Sequence, residues 1–368
     1  MKIAYDHEIF SSQRFGGISR YFFELAKHLA GSVNDSVECQ IVSPIYVNDY
    51  LQHASHPLRV LGIHAPVFRG SNRLYRPINK LLSPQILKRW RPDILHETYY
   101  CSNNFAPRGC RTVVTVYDMI HELYPEYFSP HDKTSELKRA AVTRADHIVC
   151  ISENTRHDLI RLLGVPAEKT TVVHLGFALT ESKVAALPLP RKPFLLYVGS
   201  RGGYKNFDRL LEAYADRPSL HGAYDLVAFG GGGFSAQEQT RLSNLGLHGD
   251  QVRQIGGDDT VLAALYLQAT LFVYPSLYEG FGIPPLEAMS FNCPVSCSNT
   301  SSIPEVVGDA AVLFDPHQSS AIADALEVLT ADVALQRDLR QRGLKRIQAF
   351  SWQQCATETL GVYRKVLQ

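Results

Sequence analysis

Residues 271–289 read LFVYPSLYEGFGIPPLEAM, and this stretch decides the predicted fold. Residues 271–274 are apolar and typical of a buried strand, and a turn rich in glycine and proline follows them. Pro284 and Pro285 then mark the first turn of a helix, where proline is tolerated because the N–H it lacks would have no helical partner. A buried strand that turns directly into a helix is the repeating unit of a parallel α/β sheet.

The same alternation of short β-rich runs with helical patterns continues through both halves of the chain. The first half contains the predicted strands KIAY, ECQIVS, DILH, TVVTVY, HIVCIS and TVVHLG, and the second contains FLLYVGS, DLVAFG, VRQIG, LFVYPS, PVSCS and AVLF. Between them apolar residues recur three and four positions apart, as at Phe207, Leu210, Leu211 and Tyr214. One face of each helix is therefore expected to pack on a sheet, which predicts two doubly wound α/β domains.

Length and a proline-rich stretch predict the domain boundaries. A chain of 368 residues is long enough for two cores of ordinary size. Prolines interrupt the pattern from Leu187 to Pro193, after which the strand and helix rhythm restarts. We predict an amino-terminal domain over 1–180, a carboxyl-terminal domain over 181–350 and a last helix over 351–368 that can cross back to the first domain.

Composition and charge exclude several classes of protein. Lys and Arg number 37 and Asp and Glu number 36, so a formal charge of +1 gives no overall field that favours nucleic acid as a partner. Hydrophobic residues at 45% predict an ordered globular protein. The sequence contains no uninterrupted run of about 18 apolar residues, so no membrane span is predicted. The start MKIAYD lacks the features of a signal peptide. We therefore expect a cytoplasmic protein.

The seven cysteines are expected to be reduced packing residues. They are scattered through mostly apolar stretches, at Cys39, Cys101, Cys110, Cys150, Cys293, Cys297 and Cys355. The last pair of near neighbours, Cys293 and Cys297, is not followed by a second Cys or His pair at zinc-site spacing. No metal site is predicted.

Two carboxylates flank the Gly-Phe-Gly turn of the opening stretch. Glu279 precedes the turn, and Glu287 lies in the helix eight residues further on. A loop that folds over the helix start can direct both carboxylates toward one ligand, and two such acceptors suit the hydroxyl groups of a sugar. Exposed backbone N–H groups at a helix start also favour an anionic ligand. The alternative is that Glu287 only caps or solvates its helix.

Two cations follow the first predicted strand of the second domain. In YVGSRGGYKN these are Arg201 and Lys205, separated by Gly-Gly, and Asn206 is expected to start the next helix. The carboxyl ends of strands in an open α/β sheet meet at the ligand crevice. Fixed cations there can stabilise the charge that develops on a departing phosphate without a metal. The alternative is a pair of solvated surface cations.

The first domain contains two further candidate regions. Gly16 and Gly17 precede an amphipathic helix and would let the backbone approach a ligand closely, although helix-start packing explains them equally well. Asp118 and His121 follow the strand TVVTVY and can contact a sugar, although a His near a loop is more often structural. The glycines after KIAY do not have dinucleotide-binding spacing, so a dehydrogenase is not predicted.

Residues 67–92 form a basic segment that contains no acidic residue. Its cations are Arg69, Arg73, Arg76, Lys80, Lys88, Arg89 and Arg91, and its interleaved apolar residues are Leu74, Ile78, Leu81, Leu82, Ile86, Leu87 and Trp90. This pattern predicts contact with an anionic membrane surface, in which the apolar residues enter the interface. A basic, solvated helical lobe is the equal alternative.

The stretch EGFGIPPLE, from Glu279 to Glu287, resembles the motif of two glutamates separated by seven residues in retaining glycosyltransferases of family 4. The run FGGISRYF in the first domain resembles a bacterial subgroup active in polysaccharide assembly, so the resemblance covers nearly the whole chain. It implies the GT-B fold, in which two Rossmann-like domains face a central cleft. A nucleotide sugar is then the expected donor substrate, with no metal or other cofactor.

The resemblance also implies a role for each candidate residue. Glu279 would lie beside the donor sugar, Glu287 would bind the ribose, and the diphosphate would be contacted by Arg201, Lys205 and the backbone of Gly280, Phe281, Gly282 and Ile283. The Gly16 and Gly17 loop would contact the donor phosphates from across the cleft. Many relatives have a histidine before Asp118. Here that position is Tyr117, so the choice among Tyr117, Asp118 and His121 for this role stays open.

The subgroup resemblance favours GDP-mannose or GDP-rhamnose as the donor, with UDP sugars as an alternative. It implies a polyprenyl-diphosphate-linked glycan of O-antigen or capsule synthesis as the acceptor, reached at the inner face of the plasma membrane. Two rival functions are a sugar-nucleotide epimerase or hydrolase on the same scaffold and a non-catalytic nucleotide-sugar-binding module. The paired glutamates argue against the epimerase or hydrolase, whereas donor binding without turnover on any acceptor would support the binding module.

Overall fold

The computed structural model describes residues 1–31, 37–177 and 192–368. The chain divides into two compact units, one formed by Met1–Gly176 with Phe350–Gln368 and the other by Phe177–Ala349. The predicted boundary between 180 and 181 lies outside the described residues, as does most of the stretch from Leu187 to Pro193.

The first unit is built on a seven-stranded sheet. Its strands are β1 Lys2–Tyr5, β2 Glu38–Tyr46, β3 Arg59–His64, β4 Ile94–Glu97, β5 Arg111–Val116, β6 His147–Cys150 and β7 Thr170–Val172. All pairings are parallel, in the order β3-β2-β1-β4-β5-β6-β7. The six predicted strands are confirmed. The sequence did not predict β3, because this edge strand is largely exposed and has no buried apolar run.

Among the residues that the structure describes, six helices connect these strands. They are α1 Glu8–Ser12, α2 Gly17–Ala30, α3 Ser71–Trp90, α4 Ile120–Leu123, α5 Thr134–Arg144 and α6 Glu153–Leu163, and short 3₁₀ turns occupy Tyr50–His53, Pro125–Tyr127 and Ala167–Lys169. Helix α2 buries Tyr21, Leu25 and Leu29, as its apolar spacing predicted. Helix α6 begins at Ser152, whose Oγ accepts the Thr155 N–H at 3.1 Å.

Helix α3 has an unusual inner side, because most of the residues it buries are polar. Those residues recur four positions apart, at Ser71, Tyr75, Asn79 and Ser83. The Asn79 side chain accepts the N–H of Ile45 and donates to its carbonyl, both at 2.8 Å. Ser83 Oγ lies 3.0 Å from His7 Nδ1. Hydrogen bonds therefore hold α3 against β2 and α1.

The outer side of α3 consequently exposes apolar residues. The side chains of Leu74, Leu81 and Leu82 are 54%, 65% and 38% exposed, and the helix cations are exposed around them. The prediction that all seven apolar residues of this segment are available to a membrane is wrong for the last turns of the helix. Leu87 is fully buried against β1, β2 and β4, and Ile86 and Trp90 pack on the same cluster.

The second unit contains a six-stranded parallel sheet. Its strands are β8 Phe194–Val198, β9 Asp225–Phe229, β10 Val252–Ile255, β11 Leu271–Tyr274, β12 Val295–Ser298 and β13 Ala311–Phe314, in the order β10-β9-β8-β11-β12-β13. All six were predicted. The strand order reverses between the neighbours β8 and β11. Ligands of open α/β sheets bind at this switch point, beyond the carboxyl ends of the strands.

Eight helices lie around this second sheet in the described part of the unit, residues 192–349. They are α7 Phe207–Ala215, α8 Pro218–Ala223, α9 Ala236–Asn244, α10 Asp259–Gln268, α11 Ile283–Ser290, α12 Ile303–Val307, α13 Ser319–Ala331 and α14 Val333–Arg346, with 3₁₀ turns at Gly203–Lys205 and Ile347–Ala349. The predicted inner face of α7 is buried, because Phe207, Leu210, Leu211 and Tyr214 are each at most 1% exposed. They pack with apolar residues of β8, β9 and β11.

The last helix, α15 Trp352–Leu367, belongs to the first unit and packs against α2. Its Tyr363 hydroxyl lies 2.6 Å from His96 Nδ1 and 3.1 Å from the Tyr5 hydroxyl. These contacts join the end of the chain to the carboxyl ends of β1 and β4.

All seven cysteines are free, as predicted, and all but Cys110 are buried. Their burial in the two units agrees with a packing role. None of the helices in the described ranges is both long enough and apolar enough to cross a membrane.

Candidate active site

The switch point of the second sheet brings together two of the predicted site residues. Lys205 ends the 3₁₀ turn after β8, and Glu279 lies in the turn after β11. Lys205 Nζ donates to Glu279 Oε1 at 2.7 Å, and both side chains are largely buried. The ammonium also lies 5.6 Å from the ring centre of Tyr274. A cation and an anion at one strand edge can bind the two ends of a polar ligand.

Two serines that the sequence analysis did not single out hold the Glu279 turn. The Glu279 N–H donates to Ser301 Oγ at 3.0 Å, and Ser302 Oγ donates to the carbonyls of Glu279 and Phe281 at 2.8 and 2.9 Å. Both serines precede α12. Their type and position gave no signal of this contact, because they lie more than 20 residues from the turn they hold.

Asn206 holds the Lys205 turn in the same way. Asn206 lies at the start of α7, as predicted, but its side chain does not cap the helix. The side-chain amide donates instead to the carbonyls of Pro275 and Pro316, at 3.0 and 2.8 Å. Asn206 has a φ of 60°, a left-handed conformation that Asn tolerates better than most residues. It therefore joins the Lys205 turn to the ends of β11 and β13.

The Gly-Phe-Gly turn leads into α11 as the sequence predicted. Gly280 and Phe281 are buried, Gly282 has a φ of 99° that favours glycine, and Ile283 is the first residue of the helix. Glu287 lies within α11 and not at its cap, where the alternative interpretation placed it. Glu287 Oε2 accepts from the Tyr266 hydroxyl at 3.2 Å. Burial raises the pKa of Tyr266 well above its ordinary value, so this hydroxyl stays protonated and donates.

Arg201 has partners different from those of Lys205. Its Nε donates to Glu238 Oε1 at 2.6 Å, and its Nη atoms donate to the carbonyls of Gly230 and Gly233 at 2.7 and 3.1 Å. The guanidinium lies 4.8 Å from the ring centre of Phe234. The structure therefore uses Arg201 to hold the glycine loop after β9 and does not pair it with Glu279.

A polar cavity of about 690 Å³ lies beside Arg201. Residues on its walls include Arg201, Gly203, Ser235 and Glu238. This volume is within the range of small-molecule sites. The cavity lies within the second unit, where its walls are the loop after β8, Asp208 of α7 and one side of α9 as far as Asn244.

In the first unit, Gly16 and Gly17 differ in the space around them. Gly16 is extended, with a φ of 167°, and a Cβ there would overlap the Gln13 side chain. A Cβ at Gly17, the first residue of α2, would meet no atom within 4 Å. Of the two, only Gly17 borders open space that a ligand can enter.

Tyr117, Asp118 and His121 follow β5 and are held in different ways. The buried Tyr117 hydroxyl donates to the Thr98 carbonyl at 3.3 Å. Asp118 is less buried, and its Oδ1 accepts the Ile120 N–H at 3.1 Å. His121 stacks on Phe128 with ring centres 3.8 Å apart. Since the Tyr117 hydroxyl is committed to the backbone, Asp118 and His121 are the better placed of the three for a ligand.

Lys138 on α5 supports this segment, although the sequence gave no indication of it. Its side chain is 1% exposed, and Nζ donates to the Asp118 carbonyl at 2.8 Å and to Glu122 Oε2 at 2.7 Å. Nζ also lies 3.8 Å from Asp118 Oδ1. A lysine in a helix is normally exposed, so composition predicts solvation here.

Within residues 1–31, 37–177 and 192–368, no group of three or more His, Cys, Asp or Glu side chains is arranged to hold a metal ion.

Comparison with known proteins assigns this architecture to a family. The model of Glycosyltransferase Family 4 matches residues 15–181, and that of Glycosyl transferases group 1 matches residues 180–346. The O-antigen chain mannosyltransferase B of Escherichia coli is 31% identical over 95% of this chain and 96% of its own. The chain is a family 4 glycosyltransferase. Membership in this family confirms the enzyme class that EGFGIPPLE predicted, and it favours a transferase over the two rival functions.

Two other similarities concern a longer relative and the fold of the chain. The serotype-specific mannosyltransferase WbdA of Escherichia coli is 30% identical over 70% of this chain, which spans only 34% of that longer protein. The sucrose-phosphate synthase structure from Thermosynechococcus elongatus has a TM-score of 0.75 at 21% identity, over 99% of this chain and 98% of that one. The structural likeness confirms the GT-B fold of two Rossmann-like domains.

Proposed function

We propose that this glycosyltransferase moves a hexose, mannose or rhamnose, from a GDP-linked donor to a lipid-linked glycan of a surface polysaccharide, with retention of anomeric configuration. The observation that carries the proposal is the Lys205 and Glu279 pair at the switch point of the second sheet. The similarity to O-antigen mannosyltransferase B supports the choice of mannose and of O-antigen synthesis.

We infer that the donor nucleotide binds along the second unit's strand edge. The backbone of residues 280–283 and the start of α11 offer N–H dipoles to the diphosphate. Glu287 binds the ribose, and its hydrogen bond from Tyr266 fixes the carboxylate for that contact. Glu279 accepts hydrogen bonds from the donor sugar. Arg201 supports the neighbouring loop, so its contribution to diphosphate binding is indirect.

In the proposed reaction the bond between the anomeric carbon and the phosphate oxygen breaks, and its electron pair leaves with the diphosphate. Lys205 stabilises the negative charge that develops there, and such a preorganised group contributes about 3 kcal/mol to transition-state binding. The acceptor oxygen attacks the same face of the sugar, and its proton passes to the departing phosphate. No protein carboxylate is assigned as a nucleophile, and no divalent metal is required.

The first unit would supply the remaining contacts to the sugars. Asp118, held by Lys138, and His121 are proposed to contact a sugar hydroxyl in the role that many relatives give to a histidine. Gly17 borders open space at the start of α2 and is proposed to approach the donor phosphates with Gly16.

Calorimetry with GDP and with UDP tests the proposed donor. GDP is expected to bind at least tenfold more tightly than UDP, and the Glu279→Ala variant is expected to bind GDP normally while its transfer rate from GDP-mannose falls at least tenfold. The physical reason is that Glu279 contacts the sugar and not the nucleotide. Tighter UDP binding, or a wild-type transfer rate in Glu279→Ala, would contradict the proposal. Circular dichroism serves as the folding control.

We also propose that the exposed side of α3 rests on an anionic membrane, where a polyprenyl-diphosphate acceptor is located. The segment 67–92 has seven cations and no acid. Among these cations the segment also exposes the apolar residues Phe68, Leu74 and Leu81, which are 51%, 54% and 65% exposed. Because the polar residues of α3 face the protein, its apolar residues are free to enter the lipid interface. Charge and exposure together favour a lipid surface over solvent.

Vesicle co-sedimentation tests this contact. A variant with Arg69, Arg73 and Lys80 changed to Gln should bind vesicles of anionic lipid about a hundredfold more weakly, since each cation near such a surface contributes about 1 kcal/mol. A matched variant with three exposed cations elsewhere changed to Gln, at Arg139, Arg337 and Lys345, should bind like the wild type. Equal loss in the two variants would show that the effect is only one of net charge.

A further inference from the structure

Four aromatic rings lie in a short segment of the first unit, residues 121–128, which we term the aromatic turn. It covers α4 and the 3₁₀ turn Pro125–Tyr127, just after the carboxyl end of β5. His121 and Phe128 stack with ring centres 3.8 Å apart and planes 21° apart. Tyr124 and Tyr127 are nearly parallel, with centres 6.0 Å apart and planes 14° apart. The turn therefore contains two pairs of nearly parallel rings.

The rings of the aromatic turn are not core residues. Tyr127 is 45% exposed, and His121, Tyr124 and Phe128 are only half-buried. The backbone closes the turn without help from the rings, because the N–H groups of Tyr127 and Phe128 donate to the carbonyls of Tyr124 and Pro125, both at 3.1 Å. Exposed aromatic surface on a closed turn is typical of a binding site.

The aromatic turn is anchored firmly from below. The buried Lys138 ammonium donates to the Asp118 carbonyl and to Glu122 Oε2, which lie two residues before and two residues after Ile120, the first residue of α4. Asp118 Oδ1 in turn accepts the first N–H of α4. A ligand would meet rings that are already in place, so little ordering entropy opposes binding.

The polar groups around the aromatic turn indicate a neutral, hydroxyl-rich ligand. Asp132 Oδ1 lies 3.9 Å from His121 Nε2, and hydrogen bonds from Thr134 lower the pKa of Asp132, which keeps it ionised. His121 Nδ1 is buried and has no hydrogen-bond partner among the described residues. Glu126 adds an exposed carboxylate. These acids disfavour a phosphate or an anionic lipid, whereas sugar hydroxyls donate well to carboxylates.

We propose that the aromatic turn binds a hexose unit of the acceptor glycan. The C–H face of the pyranose stacks on Tyr127 and Tyr124, and hydroxyl groups at its rim donate to Asp132 and bond with His121. This subsite rests on the proposed glycosyl transfer, and it gives the enzyme a means of selecting a sugar chain of a given composition. It is separate from the donor contacts of the second unit.

Kinetics with a water-soluble octyl oligomannoside as acceptor test the subsite. Tyr127→Ala should raise the acceptor KM about fivefold to tenfold, the range expected for loss of one aromatic stack. The donor KM, the slow hydrolysis of GDP-mannose and the thermal stability should stay as in the wild type. Tyr127→Phe, which keeps the ring, should behave like the wild type. Ile63→Ala, which removes an exposed apolar side chain of β3 in the first unit, is the matched control.

Saturation-transfer NMR with the same oligomannoside separates this inference from the proposed reaction, because it needs neither donor nor turnover. Transfer to the sugar C–H protons is expected with the wild type and Tyr127→Phe, and at the same oligomannoside concentration it should be several-fold weaker with Tyr127→Ala. Equal transfer with the wild type and Tyr127→Ala, or none with either, would overturn the subsite. Absence of turnover in the wild type with normal transfer in NMR would refute the proposed reaction alone.

Discussion

At the scale of single residues, Lys205 and Arg201 are the clearest contrast in the second unit. They are four positions apart and have the same sign of charge, yet Lys205 pairs with Glu279 while Arg201 pairs with Glu238 and the loop after β9. The Lys205 ammonium donates to Glu279 Oε1 and to the Tyr274 hydroxyl, and in the proposed reaction it exchanges its ion pair with Glu279 for a contact with the diphosphate. The guanidinium cannot leave its loop without breaking at least three hydrogen bonds.

Two variants should therefore separate the roles of these cations. Lys205→Ala is expected to lower the transfer rate at least tenfold with little change in stability. Arg201→Met is expected to lower the free energy of unfolding by about 2 kcal/mol, because it removes the charged hydrogen bonds from Arg201 to Glu238 and to the carbonyls of Gly230 and Gly233. Transfer rates at saturating donor and urea denaturation measure both effects. An Arg201→Met protein as stable as the wild type but as slow as Lys205→Ala would show that Arg201 binds the leaving group directly.

The sequence predicted the residue types of this site better than their contacts. The spacing of Glu279 and Glu287 around a glycine turn indicated a ligand with hydroxyl groups, and the resemblance of EGFGIPPLE to the family 4 motif indicated the glycosyltransferase class. Lys205 lies after a strand end, as predicted. The partners of Arg201 were not predictable, because the carbonyls that it binds are about 30 residues away in the sequence. They lie in the loop after β9, whose path depends on three glycines in the left-handed conformation. Lys138 was missed because its burial depends on two acceptors from another element.

At the scale of elements, α3 shows how far a periodic pattern can mislead. Its composition correctly indicated a basic helix with apolar residues on its surface. The side that faces the protein was not predictable, because it consists of hydroxyl and amide groups whose partners lie on β2 and α1. Hydrogen bonding at those positions turns Leu74 and Leu81 outward, while the end of the helix follows the ordinary rule and buries Leu87.

The contact between β4 and α15 predicts a pH effect on stability. His96 is fully buried between the hydroxyls of Tyr363 and Thr115, and burial lowers its pKa to about 3. In the unfolded chain a histidine has a pKa of about 6.5, so below that pH the unfolded state takes up a proton that the folded state excludes. The contribution of neutral His96 to the free energy of unfolding should therefore be fully present above pH 7 and should decline as the pH falls from about 6.5 toward 3.

Urea denaturation at pH 7 and pH 5 measures this contribution in the wild type and in His96→Gln. Between pH 7 and pH 5 the free energy of unfolding of the wild type should fall by about 2 kcal/mol more than that of the variant, because pH 5 lies about 1.5 pH units below the histidine pKa in the unfolded chain. His147, whose pKa burial lowers to about 4, is present in both proteins and cancels in the comparison. An identical pH dependence in the two proteins would show that His96 does not contribute.

At the scale of the whole molecule, the alternation of strands and helices was sufficient to predict two parallel sheets. The strand orders 3-2-1-4-5-6-7 and 3-2-1-4-5-6 follow from right-handed crossovers and place the functional loops at the carboxyl ends of the strands. The exposed edge strand β3 was missed because it has no buried apolar run that would mark it as a strand. The assignment of α15 to the first unit depends on contacts with α2, β1 and β4 that are remote in sequence.

The central claim is that fixed groups of this fold transfer a hexose with retention and without a metal. The most direct test is NMR of the product formed from α-linked GDP-mannose and the octyl oligomannoside in the presence of EDTA, read from the one-bond coupling at the new anomeric carbon. We expect an α-linked product at an undiminished rate. A β-linked product, or a reaction abolished by EDTA and restored by a divalent cation, would contradict the account.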